Sequence, residues 1–104
     1  MSLIYLFLAI IFEVSGTTFM KLSNGFSNIK YAVIMLVFYV LSLSTLTLAL
    51  KKIQIGVAYA TWSGIGIVLI TIIGLIAFKE PINLPKVVFI GFILVGTVGL
   101  NLIK

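Results

Sequence analysis

The sequence predicts an all-α membrane protein with four transmembrane helices. Its 104 residues are 62% hydrophobic and only 9% charged, which is too few charges to cover a soluble domain of this size, because small domains are mostly surface. The apolar residues form four continuous stretches, which we expect to span the membrane at residues 2–20, 31–50, 55–78 and 87–103. Each stretch is close to the roughly 20 apolar residues that a membrane helix needs, and continuous runs do not fit the alternating pattern of a membrane β-barrel.

The first two predicted spans are separated by polar turn residues. Residues 2–20 are apolar except for Glu13, and the segment 24–28 contains an Asn-Gly pair, which is typical of tight turns. Residues 31–50 contain no charged side chain. We therefore expect two membrane helices that are joined by a short turn.

The last two spans are joined by a loop that contains both prolines of the chain. Lys51 and Lys52 precede the third span, which Gln54 introduces at the membrane interface. The loop at residues 79–86 contains Glu80 and two prolines, which we expect to stop helices. The loops leave no room for a soluble domain. We therefore expect one transmembrane domain over residues 1–104, with consecutive helices as antiparallel neighbours.

The lysines are almost evenly divided between the two sides of the membrane. One side carries Lys51, Lys52 and Lys104, and the other carries Lys21, Lys30, Lys79 and Lys86. Lysine bias sets the orientation of membrane proteins, and this division provides almost no bias. One interpretation is that the chain inserts in both orientations and forms an antiparallel homodimer. The alternative is that a single flanking lysine, or the lipid composition, fixes one orientation.

The composition excludes several classes of function. The chain contains no cysteine and no histidine, so we expect no metal site and no histidine-based catalysis. We also expect no cofactor and no covalent chemistry, so the protein should not be an enzyme. The net charge of +5 comes from scattered lysines, and arginine is absent. Because arginine dominates phosphate and base recognition, we expect no nucleic-acid partner and place the lysines at the boundaries of the lipid bilayer.

Glu13 lies near the centre of the first span, where inserting an acidic side chain costs roughly 2.5–3.5 kcal/mol. Its neighbours one helical turn away include the small residues Ala9, Gly16 and Thr17, so we expect Glu13 to face protein or a water-filled cavity. A carboxyl group in this position takes up a proton or, when ionised, binds a cation. Competition between the two would make the site a proton–cation exchanger. The structural alternative is a protonated glutamate that only bonds a neighbouring helix.

Aromatic residues indicate the kind of cation that Glu13 would bind. Tyr39 on the second span and Tyr59 and Trp62 on the third lie at membrane depth, and Tyr59, Trp62, Ser63 and Gly66 share one helix face. Aromatic faces beside a carboxylate attract large, weakly hydrated organic cations by about 0.5–2 kcal/mol each. The pattern therefore favours hydrophobic organic cations as substrates. The alternative is that the rings belong to the aromatic belts at the membrane interfaces.

Glycines occupy notable positions on the third and fourth spans. Gly64 and Gly66 lie in the middle of the third span, where they predict a hinge, although close packing is the alternative. Gly91, Gly96 and Gly99 on the fourth span are expected to mark close helix contacts between subunits. Because one four-helix bundle leaves little room for an organic cation and its pathway, we expect transport to require at least a dimer.

These motifs together resemble those of the small multidrug resistance family of proton-coupled exporters. The resemblance covers nearly the whole chain. It rests on Glu13-Val14, Gly16-Thr17-Thr18, Met20-Lys21-Leu22-Ser23, Gly25-Phe26 and the run GVAYATWSGIG at residues 56–66. It implies an antiparallel homodimer in the bacterial inner membrane that exports hydrophobic cations and is driven by the proton gradient.

The resemblance also implies roles for individual residues. The paired Glu13 carboxylates would bind protons or substrate. The aromatic or polar groups implied around them are Tyr59, Trp62, Tyr39, Thr17 and Ser42. Gly64 and Gly66 would lie in the bending segment of the third helix, and the fourth helix would mainly form the dimer.

Gly16-Thr17-Thr18 is similar to the branch that exports quaternary ammonium compounds, because guanidinium exporters usually have tryptophan where this chain has Gly16. Leu3 stands where a drug exporter of this family has a binding-site tyrosine, which bears on the substrate range. Phe89 stands where the fourth-helix motif of the family has a glycine, which bears on helix packing. Guanidinium export is the first alternative function. A structural or assembly protein of the membrane ranks below it, and a channel is a third possibility, although the sequence contains no obvious selectivity filter.

Overall fold

The computed structural model describes residues 2–103, which form four α-helices and no β-strand. The helices are α1 (Ser2–Leu22), α2 (Ile29–Ala49), α3 (Ile55–Ala77) and α4 (Leu84–Ile103). Each is long and apolar enough to cross a membrane, because 20 helical residues extend about 30 Å. The prediction of an all-α protein with four spans is confirmed. Lys104, which contributes to the predicted lysine balance, lies outside the described residues.

Side-chain caps determine where α2 and α4 begin. The Asn28 side chain accepts a hydrogen bond of 3.4 Å from the backbone N–H of Tyr31, and the Asn83 side chain accepts one of 2.9 Å from that of Lys86. Helix α4 therefore begins at Leu84 and includes Pro85 in its first turn. The expectation that both prolines stop helices is wrong for Pro85, because the N–H that proline lacks has no helical partner in the first turn.

The turn between α1 and α2 is tight. Asn24, Gly25 and Phe26 have φ angles of 49°, 65° and 70°, in the left-handed region that Asn and Gly adopt most readily. The backbone N–H of Asn28 donates to the carbonyl of Ser23 at 2.9 Å and closes the turn. The short turn predicted from the Asn-Gly pair is therefore present.

The four helices form an open row. Helix α1 packs against α2 on one side and α3 on the other, and α4 packs against α3. The expectation that consecutive helices are neighbours is met by α1–α2 and α3–α4, whereas α2 and α3 do not pack along their lengths. The molecule measures 43 × 35 × 16 Å, so its thickness is less than half of either other dimension. The chain is therefore a single layer of helices and not a closed bundle.

The hydrophobic core follows the centre of this row. Leu6, Ile10 and Val14 project from α1 and pack with Ala49 at the end of α2 and Ala58 on α3. Both alanines are completely buried, because small side chains allow neighbouring helices to approach closely. The core fixes α1 between its two neighbours and thereby determines where Glu13 lies.

Polar side chains attach α4 to the edge of the row. Thr97 is buried on the inner face of α4. Its hydroxyl donates to the Ile93 carbonyl at 2.9 Å and lies 3.4 Å from the Ala60 carbonyl oxygen on α3. The Asn101 side-chain amide donates to the Thr61 hydroxyl at 2.9 Å. Most other α4 side chains are exposed, so α4 presents a long apolar surface to its surroundings.

Candidate functional site

Glu13 is half-buried on α1 and is held by a neighbour on its own helix. The Thr17 hydroxyl, one turn further along, donates a 2.8 Å hydrogen bond to Glu13 Oε1. The same hydroxyl lies 2.7 Å from the phenol oxygen of Tyr39 on α2. Tyr39 also lies 3.9 Å from the Met20 sulfur, on α1. One carboxylate oxygen is therefore positioned by a polar cluster between α1 and α2.

The other carboxylate oxygen faces α3 and an open cavity. Glu13 lines this cavity, of about 270 Å³, together with Trp62, Ser63, Gly66 and Ile67. A methyl group added at Gly66 would lie 3.3 Å from Glu13 Oε2, so the absence of a side chain lets the carboxylate approach α3. The structure thus brings the predicted residues Glu13, Trp62, Ser63 and Gly66 to one place. The cavity therefore presents a carboxylate, an indole ring, a hydroxyl group and an apolar wall to a ligand.

Trp62 has an unpaired polar group in this region. Its indole Nε1 is buried, and no hydrogen-bond acceptor for it lies among residues 2–103. The ring packs against the hydrophobic core, and Tyr59 meets it edge-on, with ring centroids 5.3 Å apart. Tyr59 itself is 59% exposed and does not line the cavity. An unpaired buried donor is costly, so the indole N–H is a candidate contact for a ligand or a second chain.

Ser42 lies away from the cavity. It is buried between α1 and α2, where its hydroxyl donates a 2.7 Å hydrogen bond to the backbone carbonyl of Ala9. This bond joins two helices and does not involve Glu13. Tyr39, in contrast, reaches Glu13 through Thr17. Of the supporting groups that the resemblance implies, Thr17 and Tyr39 belong to the polar cluster around Glu13, and Ser42 contributes to helix packing.

Gly64 and Gly66 lie within an uninterrupted helix, α3. Gly64 is where α4 comes closest, because a Cβ atom there would collide with the Thr97 side chain. Gly66 is where Glu13 comes closest. Close packing accounts for both glycines in this structure, and the hinge stays a prediction.

Gly91, Gly96 and Gly99 on α4 have open space where a side chain would be. A Cβ atom added at any of them would meet no atom within 4 Å. The three positions therefore have no packing role within the single chain, and their expected role in dimer contacts stays a prediction.

Several contacts near the site involve residues for which the sequence predicts no role in the site. The Met20 sulfur lies at the end of the polar cluster, beside Tyr39. The Ile67 side chain lines the cavity. Glu80 forms an ion pair of 3.5 Å with Lys21 at the end of α1, and both side chains are about half exposed. The Lys21 ammonium also lies 5.9 Å from the centre of the Phe78 ring. Because these partners are distant in sequence and come together only through helix packing, no periodicity or spacing predicts them.

Comparison with known proteins identifies the family. The family model described as Small Multidrug Resistance protein matches residues 1–93. The chain belongs to the small multidrug resistance family. It is 51% identical, over its whole length and 87% of the relative, to "Uncharacterized membrane protein YvaE" of Bacillus subtilis (strain 168). It is 41% identical to "Quaternary ammonium compound-resistance protein QacG" of Staphylococcus sp. (strain ST94), over 97% of this chain and 94% of that protein. The corresponding protein QacC of Staphylococcus aureus is 39% identical over 98% of this chain and 95% of its own length.

Membership of the small multidrug resistance family confirms three predictions from the sequence. The resemblance stated above is correct, the protein is a multi-pass membrane protein, and it belongs to a family of transporters and not of enzymes. The polar cluster and cavity at Glu13 are therefore the candidate transport site of a small multidrug resistance protein.

Proposed function

We propose that the protein is a proton-coupled antiporter that exports hydrophobic quaternary ammonium cations across the bacterial inner membrane. The observation that carries this proposal is the position of Glu13. Its carboxylate lies within a membrane span, and one of its oxygens faces the cavity that Trp62 lines.

The chemistry of the cavity suits competition between a proton and an organic cation. An ionised carboxylate within the membrane needs a compensating positive charge. A proton provides it by neutralising Glu13, and a cation provides it by lying beside the carboxylate. A quaternary ammonium group has no N–H to donate, so it is recognised by charge and by aromatic faces. Glu13 supplies the charge, and Trp62 and Ile67 supply the apolar walls. Because both ligands use one carboxylate, binding of one releases the other.

The surroundings of Gly16 support export of quaternary ammonium compounds over export of guanidinium. A Cβ atom at this position would lie 2.9 Å from two ring atoms of Tyr39 and 3.3 Å from Phe38 Cβ. The tryptophan that is usual in guanidinium exporters would not fit here without displacing α2. The relatives QacG and QacC, which carry quaternary ammonium resistance in their names, support the same choice.

We further propose that two copies of the chain form an antiparallel homodimer, with both Glu13 residues in one shared site. The 16 Å thickness of the chain supports this, because a single layer of helices cannot enclose a substrate. The open positions at Gly91, Gly96 and Gly99 on α4 also favour close approach by a second chain. Two inverted copies would supply the two halves that alternating access requires.

Transport in proteoliposomes tests the exchange mechanism. With an imposed proton gradient, the wild-type protein should move tetraphenylphosphonium, and Glu13→Gln should reduce this movement to background, because the amide keeps the shape of the carboxyl group but cannot ionise. Glu80→Gln is the matched control, since Glu80 is the only other acid of the chain and lies in an exposed loop. Exchange by Glu13→Gln at the wild-type rate would refute the mechanism. Movement of guanidinium but not of tetraphenylphosphonium would refute the substrate class.

A further inference from the structure

A chain of hydrogen-bonding atoms leads away from Glu13 between α1 and α2. Glu13 Oε1 lies 2.8 Å from the Thr17 hydroxyl, which lies 2.7 Å from the Tyr39 phenol oxygen. The phenol lies 3.9 Å from the Met20 sulfur. Thr17 and Tyr39 each carry one hydroxyl hydrogen, and the sulfur can only accept. The direction of each bond is therefore fixed by the direction of its neighbour.

When Glu13 is ionised, its carboxylate can only accept hydrogen bonds. Thr17 then donates its single hydrogen to Glu13, so its oxygen accepts from Tyr39. The hydrogen of Tyr39 is engaged with Thr17, and Met20 receives none. The hydrogen bonds therefore all point from donor to acceptor in one direction, from Tyr39 through Thr17 to the negative charge of Glu13.

When Glu13 carries a proton on Oε1, every bond of the chain points the other way. Glu13 donates to Thr17, Thr17 donates to Tyr39, and Tyr39 donates to the Met20 sulfur. Oε2 faces the cavity and makes no hydrogen bond within residues 2–103, so Oε1 is where the proton gains an acceptor. No O–H bond of Thr17 or Tyr39 breaks in this change, because each hydroxyl hydrogen only rotates to its other neighbour.

We propose that Thr17, Tyr39 and Met20 form a hydrogen-bond switch whose direction reverses when Glu13 gains or loses its proton. Tyr39 supports the ionised, cation-binding form as the terminal donor, and Met20 supports the protonated form as the terminal acceptor. Both are positioning residues that act on Glu13 through Thr17. The inference rests on the proposed function, since it requires Glu13 to alternate between the two forms during transport.

Among residues 2–103, Glu13 forms no salt bridge. Helix α2 contributes Tyr39 as the ionisable group near Glu13, and the α3 wall of the cavity consists of Trp62, Ser63, Gly66 and Ile67, none of which ionises in the ordinary pH range. The nearest lysine on α1 is Lys21, eight residues from Glu13 and about 12 Å along the helix axis, and it is paired with Glu80. The hydrogen bonds through Thr17, Tyr39 and Met20 are therefore the main polar contact between Glu13 and the described part of the protein.

The experiment uses the only tryptophan of the chain as its reporter. Trp62 lines the Glu13 cavity, so its fluorescence should respond to tetraphenylphosphonium binding. Binding to the purified full-length protein is measured across pH, and the pH of half-maximal affinity is compared between variants. Tyr39→Phe should move this midpoint upwards by about 0.3 unit, because both forms lose a bond to Tyr39 but the bonds directed at the charged carboxylate are the stronger ones. Met20→Leu should move it downwards by about 0.2 unit, because only the protonated form uses the weaker sulfur acceptor.

The controls separate a switch from a purely structural effect. Tyr31→Phe changes another tyrosine of α2, one that packs against Phe19 outside the chain of bonds, and should leave the midpoint unchanged. Thr17→Val removes the hydroxyl that links Glu13 to Tyr39. In the Thr17→Val background, Tyr39→Phe should therefore cause no further shift of the pH midpoint. The exposed, conservative substitution Met20→Leu keeps the test decisive if Thr17→Val folds poorly.

Two results would overturn the switch. One is a midpoint that neither Tyr39→Phe nor Met20→Leu changes. The other is a shift of both variants in the same direction, which would indicate a general disturbance of the site. Both differ from failure of the proposed function itself, which would appear as wild-type binding without pH dependence, or as a pH dependence that Glu13→Gln retains.

Discussion

A single methyl group at Gly16 is expected to disturb both the packing of α1 on α2 and the polar cluster at Glu13. Gly16 is buried, and a Cβ atom there would lie 2.9 Å from two carbons of the Tyr39 ring. Carbon atoms normally pack about 3.5–4.0 Å apart, so the ring must move by about 0.6 Å. Such a shift, directed away from α1, would lengthen the 2.7 Å contact between Tyr39 and Thr17 to about 3.3 Å, beyond the usual range for O–H···O bonds.

The loss of stability caused by Gly16→Ala is measured against the same substitution at a second glycine, Gly56. Overpacking of this kind costs about 1–3 kcal/mol, whereas Gly→Ala within a helix gains about 1 kcal/mol from helix propensity. Gly56 on α3 has open space where its Cβ atom would be, so Gly56→Ala should show only the gain. Gly56 lies in the first turn of α3, where the propensity gain is smaller than at Gly16, so Gly16→Ala should be less stable than Gly56→Ala by about 0.5–2.5 kcal/mol.

The assay is unfolding in mixed micelles with increasing SDS, followed by circular dichroism. Equal stability of the Gly16→Ala and Gly56→Ala variants would refute the packing argument. A further comparison identifies the residue responsible. In a Tyr39→Ala background the penalty at Gly16 should become smaller, although not vanish, because Phe38 Cβ would still lie 3.3 Å from the added methyl group.

Two further predictions concern bonds between helices. Ser42→Ala removes the 2.7 Å bond to the Ala9 carbonyl and should lower the free energy of unfolding by about 0.5–1.5 kcal/mol, while the Kd for tetraphenylphosphonium stays within about twofold; a tenfold weaker Kd would instead place Ser42 in the binding site. Asn101→Leu removes the 2.9 Å bond to Thr61 and should lower the free energy of unfolding by about 0.6 kcal/mol, the usual value for such bonds in membranes. Thr47→Val serves as its control, since the Thr47 hydroxyl bonds only to its own helix, and an equal loss in both variants would show that Asn101 does not fasten α4.

The four helices are predictable because each is a long apolar run, and charges or turn residues separate the runs. Their starting points are less predictable, since they depend on single hydrogen bonds that backbone N–H groups donate to the side chains of Asn28 and Asn83. Pro85 illustrates the difficulty. A proline ends one helix and begins another equally well, and the side chain of Asn83 decides which occurs.

The candidate site was predictable where helical periodicity alone determines it. Trp62, Ser63 and Gly66 share one face of α3, and the structure places that face beside Glu13. The order of the helices does not follow from any pattern in the sequence, because apolar faces alone do not specify which helix lies in the middle. The partner of Ser42 was unpredictable for the same reason, since Ala9 is 33 residues away and meets it only once α1 lies against α2.

The open cavity at Glu13 has a genetic consequence. In the proposed homodimer, the wall that one chain lacks is supplied by an identical chain, so one gene encodes both sides of the binding site. A single codon change at Trp62 or Ser63 therefore alters the site twice. Selection for a new cation acts on pairs of identical changes, and substrate range should change in larger steps per mutation than in a transporter whose two halves are encoded separately.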